Sequence, residues 1–188
     1  MEMKTLLFEK PGKANTTPTL EIAKERALAL GIDQIVVASS HGDTASQAHE
    51  LLSPLGIEVI AVTIGQSCED KGWCITDEER QTLTELGVTV HTGVHTLSGL
   101  VGDSFAEKHG GYGPERVVRD TLYAFCQGMK VCVECVLMAA EAGLLDMTKE
   151  VVAVAGTDEG ADTAIVCKPA YPRTFHQLGI LEVLAKPR

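Results

Sequence analysis

Aromatic side chains make up only 4% of this 188-residue sequence, with a single tryptophan, three tyrosines and four phenylalanines. Surfaces that stack nucleic-acid bases rely on exposed rings, so this composition disfavours that class. Positive charge is also scarce. Sixteen Lys and Arg stand against 26 Asp and Glu, a formal charge of −10. A field of that sign repels a phosphate backbone and an anionic bilayer, which argues against nucleic acid or membrane as the main partner. No apolar run reaches the ~18 residues a transmembrane helix needs. The N-terminal stretch MEMKTLLFEKPGKANTT carries an apolar patch too short for the core of a signal peptide, so a cytoplasmic location is expected. Nothing repeats and nothing is low in complexity.

What is abundant is aliphatic side chain and glycine: 45% of residues are hydrophobic and 18 are Gly. That balance suits buried strands joined by tight turns, and the length suits one well-packed domain over residues 1–188. Ile35–Thr63 is the most informative stretch. Ile35-Val-Val-Ala reads as a buried strand that stops at Ser39-Ser40-His41-Gly42-Asp43-Thr44. Ala45–Ser53 is helix-compatible and ends before Pro54; Ile57–Val62 is the next strand. A parallel β-α-β unit puts its first loop at the carboxyl edge of the sheet. The helix N-terminus there offers unpaired N–H groups to an anion. Gly42 allows close backbone approach, and Ser39, Ser40 and Thr44 can donate hydrogen bonds. Asp43 has the wrong sign for an anion site and has to point away or cap its own helix. Thr44-x-x-Gln47 also fits a capping box, which needs no ligand.

Around this unit the pattern keeps alternating. Lys4–Phe8 predicts a strand, and Asn15-Thr16-Thr17-Pro18 supplies capping chemistry for a helix over Thr19–Leu30 that stops at Gly31. Gly65–Trp73 reads as a loop, Thr76–Glu79 as an acidic helix start closed by Gly87, and Val88–His91 as a strand. Thr92–Gly113 is glycine-rich and fits either a flap or a short helical connection. A helix is expected from Glu115 to Cys126, with Gly128 breaking or kinking a helical region that resumes through Gly143. Glu150–Ala155, Ala164–Lys168 and Ile180–Ala185 complete the strands. The expected fold is α/β: a three-layer α/β/α sandwich with a mostly parallel sheet and a short antiparallel pair near the C-terminus.

Six cysteines invite a metal reading, and Cys132-Val-Glu-Cys135 is the tightest group. It lies in a strong helix former without the turn that a zinc knuckle requires, which favours buried reduced thiols over a metal or redox pair. His91-x3-His95 is spaced by Thr-Gly-Val and reads as polar loop histidines before a ligand pair. Lys130 and Glu134 share a face of an otherwise apolar helix. They are either a satisfied ion pair or a polar pair aimed into a crevice. His41, His91, His95, His109 and His176 are scattered, and no motif links them to a carboxylate, so no nucleophile–base set emerges.

Ser39-x-x-Gly42-x-Thr44-Ala45 with Ile60-Ala-Val-Thr63, and the later Val152-Ala-Val-Ala-Gly156…Asp162-Thr163-Ala164, resemble the C-terminal α/β domain of pyruvate kinases. The chain is still more similar to a stand-alone prokaryotic family of pyruvate-kinase C-terminal-like proteins. Glu9-Lys-Pro-Gly12…Asn15-Thr16, Gly128-Met-Lys130-Val…Glu134, Gly156-Thr157…Gly160-Ala161-Asp162-Thr163-Ala164 and Ile180-Leu-Glu-Val-Leu-Ala-Lys-Pro carry that likeness over nearly the full length. The resemblance implies a pyruvate kinase C-terminal domain-like fold and a bound flavin mononucleotide (FMN) or related phosphorylated small molecule. Ser39, Ser40, Gly42, Thr44 and Ala45 would cradle the phosphate. Thr63, Gly65, Gly156, Thr157, Asp162 and Thr163 would line the crevice, with Lys130 and Glu134 as neighbours. Pyruvate kinase activity is not expected, because phosphoryl transfer requires a barrel of ~250 residues that this chain does not encode. The alternatives are a small flavin-dependent oxidoreductase and a regulatory or structural partner of a larger enzyme. Catalytic residues, and whether copies assemble into a homo-oligomer, are not legible.

Overall fold

Seven short runs of mainly aliphatic residues form one sheet in the computed structural model, which describes residues 4–188; the first three residues of the expected domain lie outside it. The strands are β1 (Leu6–Phe8), β2 (Gln34–Ala38), β3 (Glu58–Thr63), β4 (Thr89–Thr92), β5 (Val151–Ala155), β6 (Thr163–Lys168) and β7 (Gly179–Pro187). Their order across the sheet is β1-β7-β6-β5-β2-β3-β4. Six strands run the same way, and β6 alone is reversed, antiparallel to β5 and to β7. All five residues of β5 are buried, as a central strand covered on both faces requires.

The helices are α1 (Thr16–Leu30), α2 (Asp43–Leu52), α3 (Asp77–Leu86), α4 (Val101–His109), α5 (Pro114–Tyr123) and α6 (Gln127–Glu141). α1 and α2 pack on one face of the sheet with α3 beside them, and α6 covers the other with α5 outside it. Two apolar cores result. One joins Leu20, Ala48, Leu52 and Leu83 to Ile35, Val37 and Val59. The other joins Met129, Val133, Val136 and Leu137 to Val36, Ile60, Ala153 and Ile165. This is the expected α/β/α sandwich with a mixed, mostly parallel sheet.

Several boundaries and caps differ from the sequence expectation. α1 begins at Thr16, because Pro18 is tolerated in a first turn. Asn15 does not cap it; its side-chain amide donates instead to the Lys10 carbonyl at 2.8 Å. The helix expected over Glu115–Cys126 stops at Tyr123, and the break falls at Ala124–Cys126. Gly128 lies inside α6 and breaks nothing. A Cβ there would sit 2.2 Å from Thr163 Oγ1, so this glycine lets α6 approach β6. The 92–113 connection contains α4, and a 3₁₀ turn over Gln66–Lys71 occupies the expected 65–73 loop. Thr76 caps α3 in a full capping box with Glu79. The thiols of Cys132 and Cys135 are buried in the α6 core, and burial raises both well above the ordinary thiol range.

Candidate functional site

Because β2, β3, β4 and β5 are parallel, the loops that follow them meet at one edge. β2 turns toward β3 through α2, whereas β4 returns to the far side of β2 to form β5. The strand order reverses between β2 and β5, which is where open α/β sheets form crevices. The loops flanking that point are 39–42 and 156–162, the two richest in predicted site residues.

In the first loop Gly42 takes φ 96°, a conformation open to glycine, and redirects the chain into α2. Ser39 is buried, and its Oγ accepts from the Ala45 N–H at 3.3 Å. Among the described residues, the backbone N–H groups of Ser40, His41, Gly42, Asp43 and Thr44 find no protein acceptor, and neither the Ser40 nor the Thr44 hydroxyl makes a hydrogen bond. The capping-box alternative fails here: the N-cap is Gly42, and Thr44 and Gln47 form no such pair. Asp43 points away, with its side chain about three-quarters exposed and its carboxylate 3.6 Å from Lys13 Nζ. Lys13 also reaches Glu159 at 3.3 Å, so one ammonium spans the gap between the two loops.

In the second loop, Gly156 lies against the Gly160 carbonyl, which a Cβ would approach to 2.5 Å. Asp162 is fully buried. Its Oδ2 accepts from the Gly12 N–H at 2.9 Å and the Thr157 N–H at 3.2 Å, and its Oδ1 from the Thr163 hydroxyl at 2.8 Å. Its carboxylate is thus spent on tying three segments together. Thr163 also lies 3.4 Å from Cys126 Sγ at the start of α6. The Thr157 hydroxyl makes no hydrogen bond among the described residues. Thr63 is buried, and its hydroxyl bonds the Thr92 hydroxyl and the His91 carbonyl.

Lys130 and Glu134 are the satisfied buried pair, 2.5 Å apart. Glu134 also accepts from His95 Nδ1 at 3.1 Å, the Leu97 N–H at 2.9 Å and the Ser98 hydroxyl at 3.2 Å. Burial would raise this carboxyl, but the His95 hydrogen bond and the Lys130 charge outweigh it and hold it down at about 2. His95 in turn accepts from the Gly65 N–H at 3.1 Å through Nε2. Gly65 is enclosed there, since a Cβ would lie 2.9 Å from the Gly93 carbonyl. Lys130 also lies 5.9 Å from the Tyr123 ring.

The structure therefore brings the 39–45 and 156–163 loops to neighbouring strand ends, with Lys13 paired to Asp43 of one and Glu159 of the other. It links Gly65 to the Lys130–Glu134 pair through His95, while Thr63 is engaged with β4. Sequence reasoning missed Lys13, to which it assigned no role. It also missed two histidine–carboxylate pairs, His95–Glu134 and His41–Glu79 at 3.2 Å. Both partners come from distant segments, so no local spacing could reveal them. Two shallow depressions lie elsewhere, one between α1 and α2 beside Leu20 and Leu51, the other beside Asp33 and Lys149. Among the described residues no helix is long and apolar enough to cross a membrane. Residues 18–167 match the family described as "Pyruvate kinase, alpha/beta domain". With that match over most of its length and the seven-stranded sandwich it folds into, the chain belongs to the pyruvate kinase alpha/beta domain family.

Proposed function

We propose that this protein binds FMN, or a related phosphorylated metabolite, in the crevice between the 39–45 and 156–163 loops, with the phosphate on the first. The observation that carries this reading is the run of five backbone N–H groups, Ser40 to Thr44, without protein acceptors. Such a nest at a helix N-terminus has both the donors and the dipole to hold an anion. The unengaged Ser40 and Thr44 hydroxyls add two donors, and Lys13 supplies a cation at the rim. The flavin part rests on the resemblance to the stand-alone family. Exposed rings of Tyr123 and Phe125, next to Cys126, offer apolar contact on the α6 side. Isothermal titration of the purified chain with FMN and with riboflavin tests the reading. Tighter binding of FMN supports it, and absence of binding to either removes the flavin.

A second reading, a flavin-dependent oxidoreductase, gains from the His95–Glu134 pair in the crevice wall, a histidine oriented by a carboxylate. Stopped-flow bleaching of bound flavin by a reduced nicotinamide would favour it; flavin that stays oxidised leaves the binding module.

A further inference from the structure

The two ring nitrogens of His95 face groups of opposite kind. Nδ1 lies 3.1 Å from Glu134 Oε2, which only accepts, and Nε2 lies 3.1 Å from the Gly65 N–H, which only donates. One neutral tautomer satisfies both, with the proton on Nδ1 and the lone pair on Nε2. We propose that His95 is a pH-operated latch on the β3 side of the crevice: neutral, it ties α6 to Gly65, and protonated, it releases Gly65 and weakens the hold on a bound phosphorylated ligand. The ligand coupling rests on the function proposed above; the latch itself does not.

A second proton on Nε2 sets two donors against each other, while Nδ1 keeps its bond to Glu134. The ring stays on α6 and the Gly65 contact is the one that breaks. The charged and titratable groups around it come from several elements. α6 presents Glu134, whose charge favours the imidazolium, and Lys130, whose charge opposes it. From the β3 side comes the Cys74 thiol, which donates to the Gly65 carbonyl at 3.4 Å. From β4 comes His91, whose ring lies over Gly93 and which burial and the Arg80 charge push down. Ser98 on the same loop is neutral and bonds both Lys130 and Glu134. Gly65 is the residue from which the Gln66–Lys71 3₁₀ turn starts, so its release is passed to the following 66–73 segment.

That segment holds Trp73, the single tryptophan of the chain, half-exposed beneath Lys71 at 4.9 Å. It is a built-in reporter, provided His41 is separated out, because His41 Nε2 lies 3.2 Å from the Gly72 carbonyl. The test uses the full chain. Heteronuclear NMR of the unliganded wild type should show the Nδ1-protonated tautomer of His95 at alkaline pH. Trp73 emission should shift on acidification. That shift should persist in His41→Ala and vanish in His95→Gln, whose carboxamide oxygen can accept from Gly65 but does not titrate. On acidification the FMN Kd should rise about fivefold more in the wild type than in His95→Gln, the scale of one net hydrogen bond, the variant carrying the part that comes from protonation of the flavin phosphate itself. An Nε2-protonated tautomer, or a Trp73 transition that survives in His95→Gln, overturns the latch. A transition that behaves as expected beside an FMN Kd with the same pH dependence in the wild type and in His95→Gln overturns the coupling to the ligand and leaves the latch. Loss of FMN binding at every pH counts against the proposed function alone.

Discussion

At Gly42 the backbone turns through φ 96°, and a Cβ would meet Leu83 Cδ1 at 3.2 Å. Any side chain there is strained by the left-handed conformation and also crowds the α3 core. Gly42→Ala should therefore lower stability by about 1–2 kcal/mol, read as a drop in Tm, alongside any loss of anion affinity. Lys13 is easier to interpret, because it is exposed and holds only surface partners. Lys13→Ala should weaken FMN by roughly 2- to 5-fold and leave riboflavin unchanged, which titration at constant ionic strength can resolve. Glu134 sits at the opposite extreme of burial. Its carboxyl is held at about 2, below the ordinary 4.5. A depressed carboxylate contributes stability that is fully present above its unfolded value and is lost as pH falls toward 2. That contribution is roughly 3 kcal/mol. Denaturant unfolding in the wild type should weaken over that acid window. Glu134→Gln should flatten that part of the profile and cost about 3–5 kcal/mol at neutral pH by stranding the Lys130 charge. An acid profile identical in the two proteins would contradict this assignment.

α6 shows how an element reads differently from within its sequence and from within the fold. Its apolar run announced a buried helix, and Cys132 and Cys135 duly lie in its core. Gly128 was legible only as a breaker, because helix propensity is local and the close approach to Thr163 is not. Gly128→Ala should push α6 away from β6 and lower Tm, by about 1–3 kcal/mol of stability, whereas propensity alone predicts a gain near 1 kcal/mol. A stabilised Gly128→Ala protein would contradict the packing account. The strands were legible for a simple reason: Ile35–Ala38 and Val151–Ala155 are short β-branched runs bounded by turns. Their order was not, since nothing local places β5 beside β2. The 39–45 turn between β2 and α2 could be read from hydroxyls, a glycine and a following helix. The failure of Thr44 and Gln47 to form a capping box could not, because it depends on where Gly42 turns. Likewise His95 and Glu134, 39 residues apart, meet only once α6 covers the sheet.

At the scale of the whole molecule, six strands pointing one way concentrate loop ends and helix N-termini at a single edge, and the strand order reverses there between β2 and β5. Asp162 closes the rim by binding the 12, 157 and 163 segments together, and Glu134 does the same for the wall. Among the described residues, the 40–44 run leaves five backbone N–H groups without protein acceptors. A charge-assisted hydrogen bond is worth about 1.5–3 kcal/mol, so one or two of them should separate a phosphorylated ligand from its dephospho form by at least tenfold. The most direct test is a paired titration of FMN and riboflavin into the wild type and into Thr44→Ala, well below the melting transition. FMN should bind tighter than riboflavin by at least about tenfold in the wild type, with the gap narrowed in Thr44→Ala and riboflavin affinity unchanged. Equal affinities for the two flavins, or a gap that Thr44→Ala leaves intact, would contradict a phosphate seat on the 39–45 loop.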